Sequence, residues 1–399
     1  MSSMQSNTAS VEAMRPETSL THAAAGEGLW SNVWKQFRRD PIALAGLYVV
    51  CILVTMALFA DFLANDKPYY SFYKGKIYFP IFRSYLVGVG LAHWPAELQN
   101  VDFKKLEGAT QVFPPVPYRP GNIDLLVPYE TPSKKHWFGT DKLGRDIMAG
   151  MIHGSRISLS IGFVAVGIAV IIGVILGALA GYFGSWVDLV ISRLFEIMLS
   201  IPTFFLLITV AALLPPSIFL TMTIIGLTSW VGIARFARNE FLRIRNLDYV
   251  TAAIALGVSN RKIMFKHILP NALAPVIVSV VLGVAGAILI ESSLSFLGIG
   301  VPAELVTWGS ILHEASSATF AWWLAVFPGA AIFVTVLAYY LVGEGLREVL
   351  DPRLRGFAEN ALSANPIRRS ISTYLKFAQR ADSRRFQAIP PHPRLEAES

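Results

Sequence analysis

The chain predicts an all-α membrane protein with six transmembrane helices, and three observations carry that prediction. Its 399 residues are 54% hydrophobic and only 15% charged, with a mean hydropathy of +0.51, too apolar for a soluble globular protein. Six stretches reach the roughly 20 mostly apolar residues that a helix needs to cross a bilayer: 42–60, 158–182, 189–213, 218–237, 272–296 and 322–343. Lys and Arg gather beside alternate ends of these stretches, as the positive-inside rule requires of a polytopic helical protein. The alternation of barrel strands is absent, and lipid leaves no other way to satisfy backbone groups.

Taken in order, residues 1–28 are polar and rich in Ala and Ser, so they predict a disordered cytoplasmic N-terminus. Residues 29–60 hold a lead containing Lys35, Arg38 and Arg39 and then the first span. That apolar run starts after about 40 residues and is long enough to span, so it is not read as a cleavable leader. Residues 61–157 predict an irregular periplasmic insertion, rich in Pro and aromatics, with short β-prone pieces such as 76–82. Residues 158–356 carry five more spans. Arg235, Arg238, Arg243, Arg245, Arg261, Lys262 and Lys266 crowd the loop between the fourth and fifth, and Arg347, Arg353 and Arg355 follow the sixth. The opposite loops, 215–217 and 298–321, contain no Lys or Arg. Both termini, including the tail 357–399, and the loop 246–271 are therefore expected in the cytoplasm. The net charge of +7 is largely this topological signal, so no nucleic-acid partner is needed to explain it, and lipid is the expected surrounding.

Catalytic and cofactor chemistry find no foothold in the sequence. The single cysteine, Cys51, lies within the first span and suits packing or lipid contact. The seven histidines show no metal-ligand spacing. There is no Gly-x4-Gly-Lys-Ser/Thr phosphate loop, so any ATP that drives this protein must be bound by a partner.

The loop 246–271 is the most informative segment. Asp248 can cap a short helix carrying Tyr249, Ala252, Ala253 and Leu256 on one side. Gly257 permits the reversal that ends it, and a second short helix, 261–268, is expected to stop at Pro270. The result would be a compact knob that another protein can grip closely through Ala252 and Ala253. An ordinary loop lying on the membrane surface is the bland alternative.

This segment, with its Ala252-Ala253 pair, then Gly257, then Leu269-Pro270, resembles the "EAA" loop of bacterial ABC importer permeases. In that family the loop docks into the ATP-hydrolysing subunit. The acidic residue that names the motif is Thr251 here, so the contact made by that carboxylate does not carry over. Further stretches are similar to the C-type subunit of oligopeptide and dipeptide permeases: His136-Trp-Phe-Gly-Thr-Asp-Lys-Leu-Gly-Arg-Asp146, Ile152-His-Gly-Ser-Arg-Ile-Ser-Leu159, Gly181-Tyr-Phe-Gly-Ser-Trp-Val-Asp188, Glu291-Ser-Ser-Leu-Ser-Phe-Leu-Gly-Ile-Gly300, Thr307-Trp-Gly309 and Asp351-Pro-Arg353. Within it, Ala64-Asn-Asp-Lys-Pro68, Tyr78-Phe-Pro80 and the oversized outer loop look most like the branch that takes up microcin C-type peptides. The resemblance implies a type I ABC importer permease fold in the bacterial inner membrane and ATP-driven peptide uptake. It also implies a second homologous permease subunit in a heterodimer, two ATPase subunits holding ATP and Mg, and a periplasmic solute-binding protein. On this reading Asp248, Tyr249, Ala252, Ala253, Gly257, Arg261, Leu269 and Pro270 couple to the ATPase. Another solute of the same importer family, such as nickel or modified peptides, is the alternative cargo. A channel is the rival class, but no polar filter segment is visible.

Several polar residues inside the spans admit two readings each. Gly173, Gly177 and Gly181 line one helix face, allowing either static close packing or sliding. Asp188, Arg193 and Glu196 predict an ion-pair cluster rather than a substrate site. Glu291, with Ser292 and Ser295, is a candidate gate or a structural carboxylate in the pathway. The polar run 139–146 predicts a structural plug holding the outer loop to the bundle, with a rim contact to a solute-delivering protein as the alternative.

Overall fold

A computed structural model describes residues 29–99, 101–302 and 304–350. The N-terminal stretch 1–28, the tail 357–399, Arg353, Arg355 and the Asp351–Arg353 motif lie outside the described residues. After α1 (Leu29–Phe37), the Asp40 carboxylate accepts from the Ile42 N–H at 2.9 Å and Pro41 fills the first turn, which starts α2 (Pro41–Leu58). A short α3 (Ala60–Leu63) leads into a three-stranded antiparallel sheet of β1 (Tyr70–Tyr73), β2 (Lys76–Tyr78) and β3 (Thr110–Val112), in the order β2-β1-β3. Ser71 pairs with Tyr78 on one side and with Gln111 on the other. Between the second and third strands lies α4 (Pro80–Gly88). The insertion thus adds a small sheet to an otherwise helical chain.

The second span begins earlier than position 158. Asp146 caps α5 (Ile147–Phe183) by accepting from Ala149 N–H at 2.8 Å, and the helix runs for 37 residues, about 55 Å. His153 and Arg156, which read as loop residues, reach carbonyls of the preceding segment instead. His153 Nε2 lies 2.8 Å from the Ala64 carbonyl, and Arg156 Nε donates to the Ala57 carbonyl at 2.9 Å. Their polarity is thereby absorbed without ending the helix.

The predicted single span 189–213 is two helices, α6 (Ser185–Ser200) and α7 (Thr203–Leu213), bent by 77°. Pro202 is the cause: it holds the preceding Ile201 in extended backbone, φ −95° and ψ 121°. Then follow α8 (Ile218–Arg245), α9 (Asp248–Ala255), α10 (Asn260–Lys262), a π-helical turn Ile263–Ile268, α11 (Leu269–Phe296), α12 (Trp308–Ala315) and α13 (Trp323–Leu350). Among the described residues, five helices are long and apolar enough to cross a membrane, and the bent pair makes a sixth crossing if counted as one span.

The contact between α5 and α8 organises this bundle. A methyl on Gly173 would lie 2.9 Å from the Trp230 carbonyl, one on Gly177 2.4 Å from the Ala234 carbonyl, and one on Gly181 2.5 Å from the Arg238 carbonyl. From the other side, Gly226 faces the Ala165 carbonyl at 2.7 Å. Both series ascend together, so the two helices run parallel and touch backbone to backbone. In contrast, α11 runs antiparallel to α5, since Gly162 meets Ile288 and Ser158 meets Glu291. Apolar side chains of α5, α7, α8 and α11, among them Ile161, Leu207, Ile225 and Ile288, fill the space between.

Gly177→Val should therefore force α5 and α8 apart and cost about 1–3 kcal/mol. Gly167→Ala, where a methyl meets nothing within 4 Å, should leave the thermal midpoint of the detergent-solubilised protein unchanged. Equal midpoints for the two variants would contradict the packing argument.

Candidate coupling knob and buried polar cluster

At one end of α5 and α8 sits the knob. Leu247, in extended backbone (φ −79°, ψ 148°), precedes α9 without a side-chain cap, and Asp248 is the first helical residue. Asp248 therefore does not cap the helix as its type suggested; it contributes negative charge to the first turn. The helix ends at Gly257, whose φ of +74° is left-handed, with Val258 N–H returning to the Ala253 carbonyl at 3.1 Å.

The predicted apolar side of α9 is divided between two directions. Ala253 is buried with Val250 against Phe241, Ile244, Ile263, Met264, Ile268 and Ala272. Tyr249, Ala252 and Leu256 remain exposed, with Ile254 beside them. Ala253 thus anchors the knob internally, beneath its outward surface. Tyr249 bridges to the next helix: its hydroxyl donates to the His267 carbonyl at 3.3 Å and accepts from Asn271 Nδ2 at 3.3 Å. Thr251, in the position of the motif's acid, is exposed and donates to the Asp248 carbonyl at 2.9 Å.

The second arm of the knob is also longer than expected. Pro270 does not stop a short helix; it sits in the first turn of α11, and helix continues from Asn260 to Phe296. A proline there removes one N–H and crowds the preceding turn, and the π-helical turn Ile263–Ile268 widens the helix at that place. Leu269 packs partly into the apolar cluster, whereas Arg261 is exposed.

One tie that the sequence did not disclose joins the knob to the bundle, and a second joins two bundle helices beside it. The Tyr182 hydroxyl, at the end of α5, donates to Asn260 Oδ1 at 2.8 Å, and Arg245 Nη1 donates to the Tyr182 carbonyl at 2.7 Å. Tyr182 stands in the quoted Gly181–Asp188 motif, which was the available signal. The expected cluster of Asp188, Arg193 and Glu196 does not form. Asp188 takes a two-pronged contact from Arg238 of α8, Nε at 2.5 Å and Nη2 at 2.6 Å, while Arg193 pairs with Glu196 on the exposed side. Helical phase alone missed this, because Arg238 lies 50 residues away and offers the fork geometry that a carboxylate favours.

The buried polar cluster lies toward the other end of α5. Glu291 is fully buried and accepts from Ser295 Oγ at 2.8 Å, Ser158 Oγ at 3.3 Å and Ser292 Oγ at 3.4 Å. Gly309 of α12 packs against the Ser292 carbonyl so closely that a methyl would stand 2.6 Å from it. Glu291, Ser292 and Ser295 thus pin α5, α11 and α12 together, the geometry of a structural carboxylate rather than of a group lining an open surface.

Beyond them, the run 139–146 forms a plug. Asp141 Oδ1 accepts from the Leu143 and Arg145 N–H groups at 2.8 and 2.9 Å, and the Arg145 guanidinium joins Asp141 to Glu314 of α12 at 2.5 and 2.8 Å. Trp323 Nε1 donates to the Thr140 carbonyl at 3.0 Å, and Trp308 Nε1 to that of Met151 at 3.0 Å. Gly144, with φ +70°, lies against the Asp124 carbonyl, where a methyl would stand 1.9 Å away. A column of Lys104, Tyr118, His136 and Asp146 ties the insertion to the same place. Lys104 Nζ is 3.5 Å from the Tyr118 ring centre, the two rings are 4.6 Å apart, and His136 Nδ1 is 2.8 Å from Asp146 Oδ2. Burial raises the Asp146 carboxyl above its usual range, against the Ala149 and His136 hydrogen bonds. Burial, reinforced by the Asp141 charge, likewise raises that of Glu314. Among the described residues no group of His, Cys, Asp and Glu is placed to hold a metal ion.

Repeated crossings, long parallel helices packed through glycine and an exposed helical knob at one end define a polytopic membrane protein of the permease class. Residues 173–356 match the family described as the inner membrane component of binding-protein-dependent transport systems. Residues 28–80 match the N-terminal membrane domain of oligopeptide transport permease C. The chain is 33% identical over 327 residues to the dipeptide transport system permease protein DppC of Alkalihalophilus pseudofirmus, covering 82% of this chain and 90% of that one. It is 32% identical to the peptidoglycan transport system permease protein YejE of Agrobacterium fabrum, covering 80% and 92%. It is also 32% identical to the oligopeptide transport system permease protein OppC of Bacillus subtilis, covering 82% and 90%. The chain belongs to the family of binding-protein-dependent transport system inner membrane components, and is a transmembrane permease of the importer type.

The Arg145 clamp generates a test. Arg145→Met leaves the buried Asp141 and the half-buried Glu314 facing one another, and should destabilise the plug by about 3 kcal/mol. Because Glu314 holds its proton to higher pH when folded than when unfolded, stability gained by protonating it grows as pH falls. Removing the Arg145 charge, which lowers the Glu314 carboxyl, raises it further in the variant, so the loss should shrink as pH falls from neutrality toward the usual carboxylate range. Thermal midpoints of wild type and variant measured across that window check both the size and the sign.

Proposed function

We propose that this chain forms one half of a pathway for ATP-driven peptide uptake across the bacterial inner membrane. A second, homologous permease supplies the other half in a heterodimer. Two ATPase subunits, which bind ATP and Mg, dock at the knob on the cytoplasmic side, and a periplasmic solute-binding protein delivers peptide at the plug end. The names of the related dipeptide and oligopeptide permeases support peptides as the cargo class. The concentration of Lys and Arg around the knob supports the cytoplasmic placement of that end and of both termini.

The observation that carries this reading is the division of α9 into an anchored and a presented side. Val250 and Ala253 are gripped by α8, the π-helical turn and the first turn of α11, while Ala252, Ile254 and Leu256 face outward. A partner pressing on the outward side would move α8 and α11 with it, because Val250 and Ala253 pack on both, and α5 as well, because Tyr182 holds Asn260. Nucleotide-driven closure of the ATPase pair would then reach the pathway as a displacement of packed helices, an alternating-access mechanism.

Leu256, 83% exposed at the tip of α9, gives the clearest test. Leu256→Asp should abolish copurification of the ATPase and peptide uptake while the permease inserts and melts normally. Val250→Asp should lower the melting temperature itself, and Thr251→Glu should be tolerated. Retained ATPase association in Leu256→Asp would sink the docking assignment.

Orientation is tested separately. In a Cys51→Ser background, Glu107→Cys should react with a membrane-impermeant thiol reagent in intact spheroplasts, and Ser259→Cys only after lysis. External labelling of Ser259→Cys would reverse the topology and remove the ATPase from the knob.

A further inference from the structure

Helix α4, within the insertion, carries an apolar stripe that the rest of the described chain leaves uncovered. Phe82, Tyr85, Leu86 and Val89 follow the i, i+3, i+4, i+7 spacing of one helical face and are 51%, 43%, 48% and 74% exposed. Its inward side is already satisfied: Ile81 is fully buried, and Arg83 donates to the His93 carbonyl at 3.0 and 2.7 Å. The stripe is therefore an outward-facing amphipathic surface, not a misplaced core.

What covers it is indicated by continuity with the membrane-spanning surface. Leu58 and Phe59, at the outer end of α2, are exposed in the manner of lipid-facing residues. From Phe59 the rings run on without a gap: Phe59 to Phe62 at 6.1 Å, then Phe62 to Phe82 at 5.6 Å and to Tyr85 at 6.2 Å. An open groove of about 420 Å³, lined by Val54, Leu58, Tyr85, Leu159 and Phe163 with the Asp61–Arg156 ion pair among them, follows the same line between α2, α5 and α4.

We propose that α4 lies in the bilayer–water interface of the leaflet away from the knob, its stripe embedded among lipid. The insertion then rests on the membrane through one face and keeps its sheet and plug-facing sides for the aqueous compartment. The inference rests on the membrane placement of the spans, but not on the identity of the cargo.

The test uses the assembled transporter in nanodiscs of phosphatidylethanolamine and phosphatidylglycerol, without solute-binding protein. In a Cys51→Ser background, spin labels are placed by Leu86→Cys, Val89→Cys, Ile52→Cys and Glu107→Cys, and collision rates are read with oxygen and with a water-soluble nickel chelate. Labels at 86 and 89 should show the lipid signature, oxygen collisions high and nickel collisions several-fold below those at 107. Nickel accessibility at 86 and 89 equal to that at 107 would overturn the proposal in favour of a water-exposed face. Low accessibility to both reagents would overturn it in favour of a protein neighbour. A label at 52 that failed to show the lipid signature would instead bring down the membrane placement itself.

Discussion

The backbone contact between α5 and α8 is the constraint on which the remaining geometry depends. Within lipid there is no hydrophobic gain in bringing two apolar helices together, so association rests on close van der Waals packing. Glycine at positions 173, 177 and 181 removes every side chain from the approaching strip, and the Trp230, Ala234 and Arg238 carbonyls occupy the space. Once these helices are fixed in parallel, the chain has two defined ends. Tyr182 and Arg245 meet at one, where the knob is built, and Asp146 starts α5 at the other, where the plug is built. The Asp188–Arg238 pair then draws α6 to the knob end of the same unit.

What the sequence disclosed and what it concealed differ in a physically sensible way. Hydropathy disclosed the apolar stretches, because lipid imposes a length and a composition that any spanning helix must meet. Gly257 and the 139–146 plug were legible for the same kind of reason: a left-handed turn and a set of local backbone acceptors are short-range requirements. The identity of the inward side of α9 was not legible. Val250 and Tyr249 are both apolar enough for burial, and the choice between them is made by Phe241, Ile244 and Ile263 on neighbouring elements. Arg238 as the partner of Asp188 was hidden by the same dependence on distant chain. The early start of α5 was hidden by His153 and Arg156, whose polar ends look like a loop until the carbonyls of Ala57 and Ala64 are seen beside them.

The plug and the knob also differ in how they are held, which bears on what each can transmit. The plug is bound by charge and indole hydrogen bonds to α12 and α13, with Arg145, Trp308 and Trp323 largely or fully shielded from solvent. The knob is bound mainly by apolar contact to α8 and the first turns of α11, with a few hydrogen bonds at its margins. Directional bonds fix an orientation, whereas apolar contact allows small displacement without breaking anything. The end that would receive a push from a partner is thus the more compliant one.

The bend at Pro202 has a consequence for the solitary chain. Helices α6 and α7 have 16 and 11 residues, about 24 and 16 Å, and neither alone matches the roughly 30 Å of hydrocarbon. Ser200, Ile201 and Pro202, where the helical hydrogen bonds lapse, are exposed. Interrupted backbone at membrane depth is tolerated only against protein or water, never against acyl chains. A lone subunit therefore carries an energetic defect along this edge, which a neighbouring chain or a hydrated lumen must relieve.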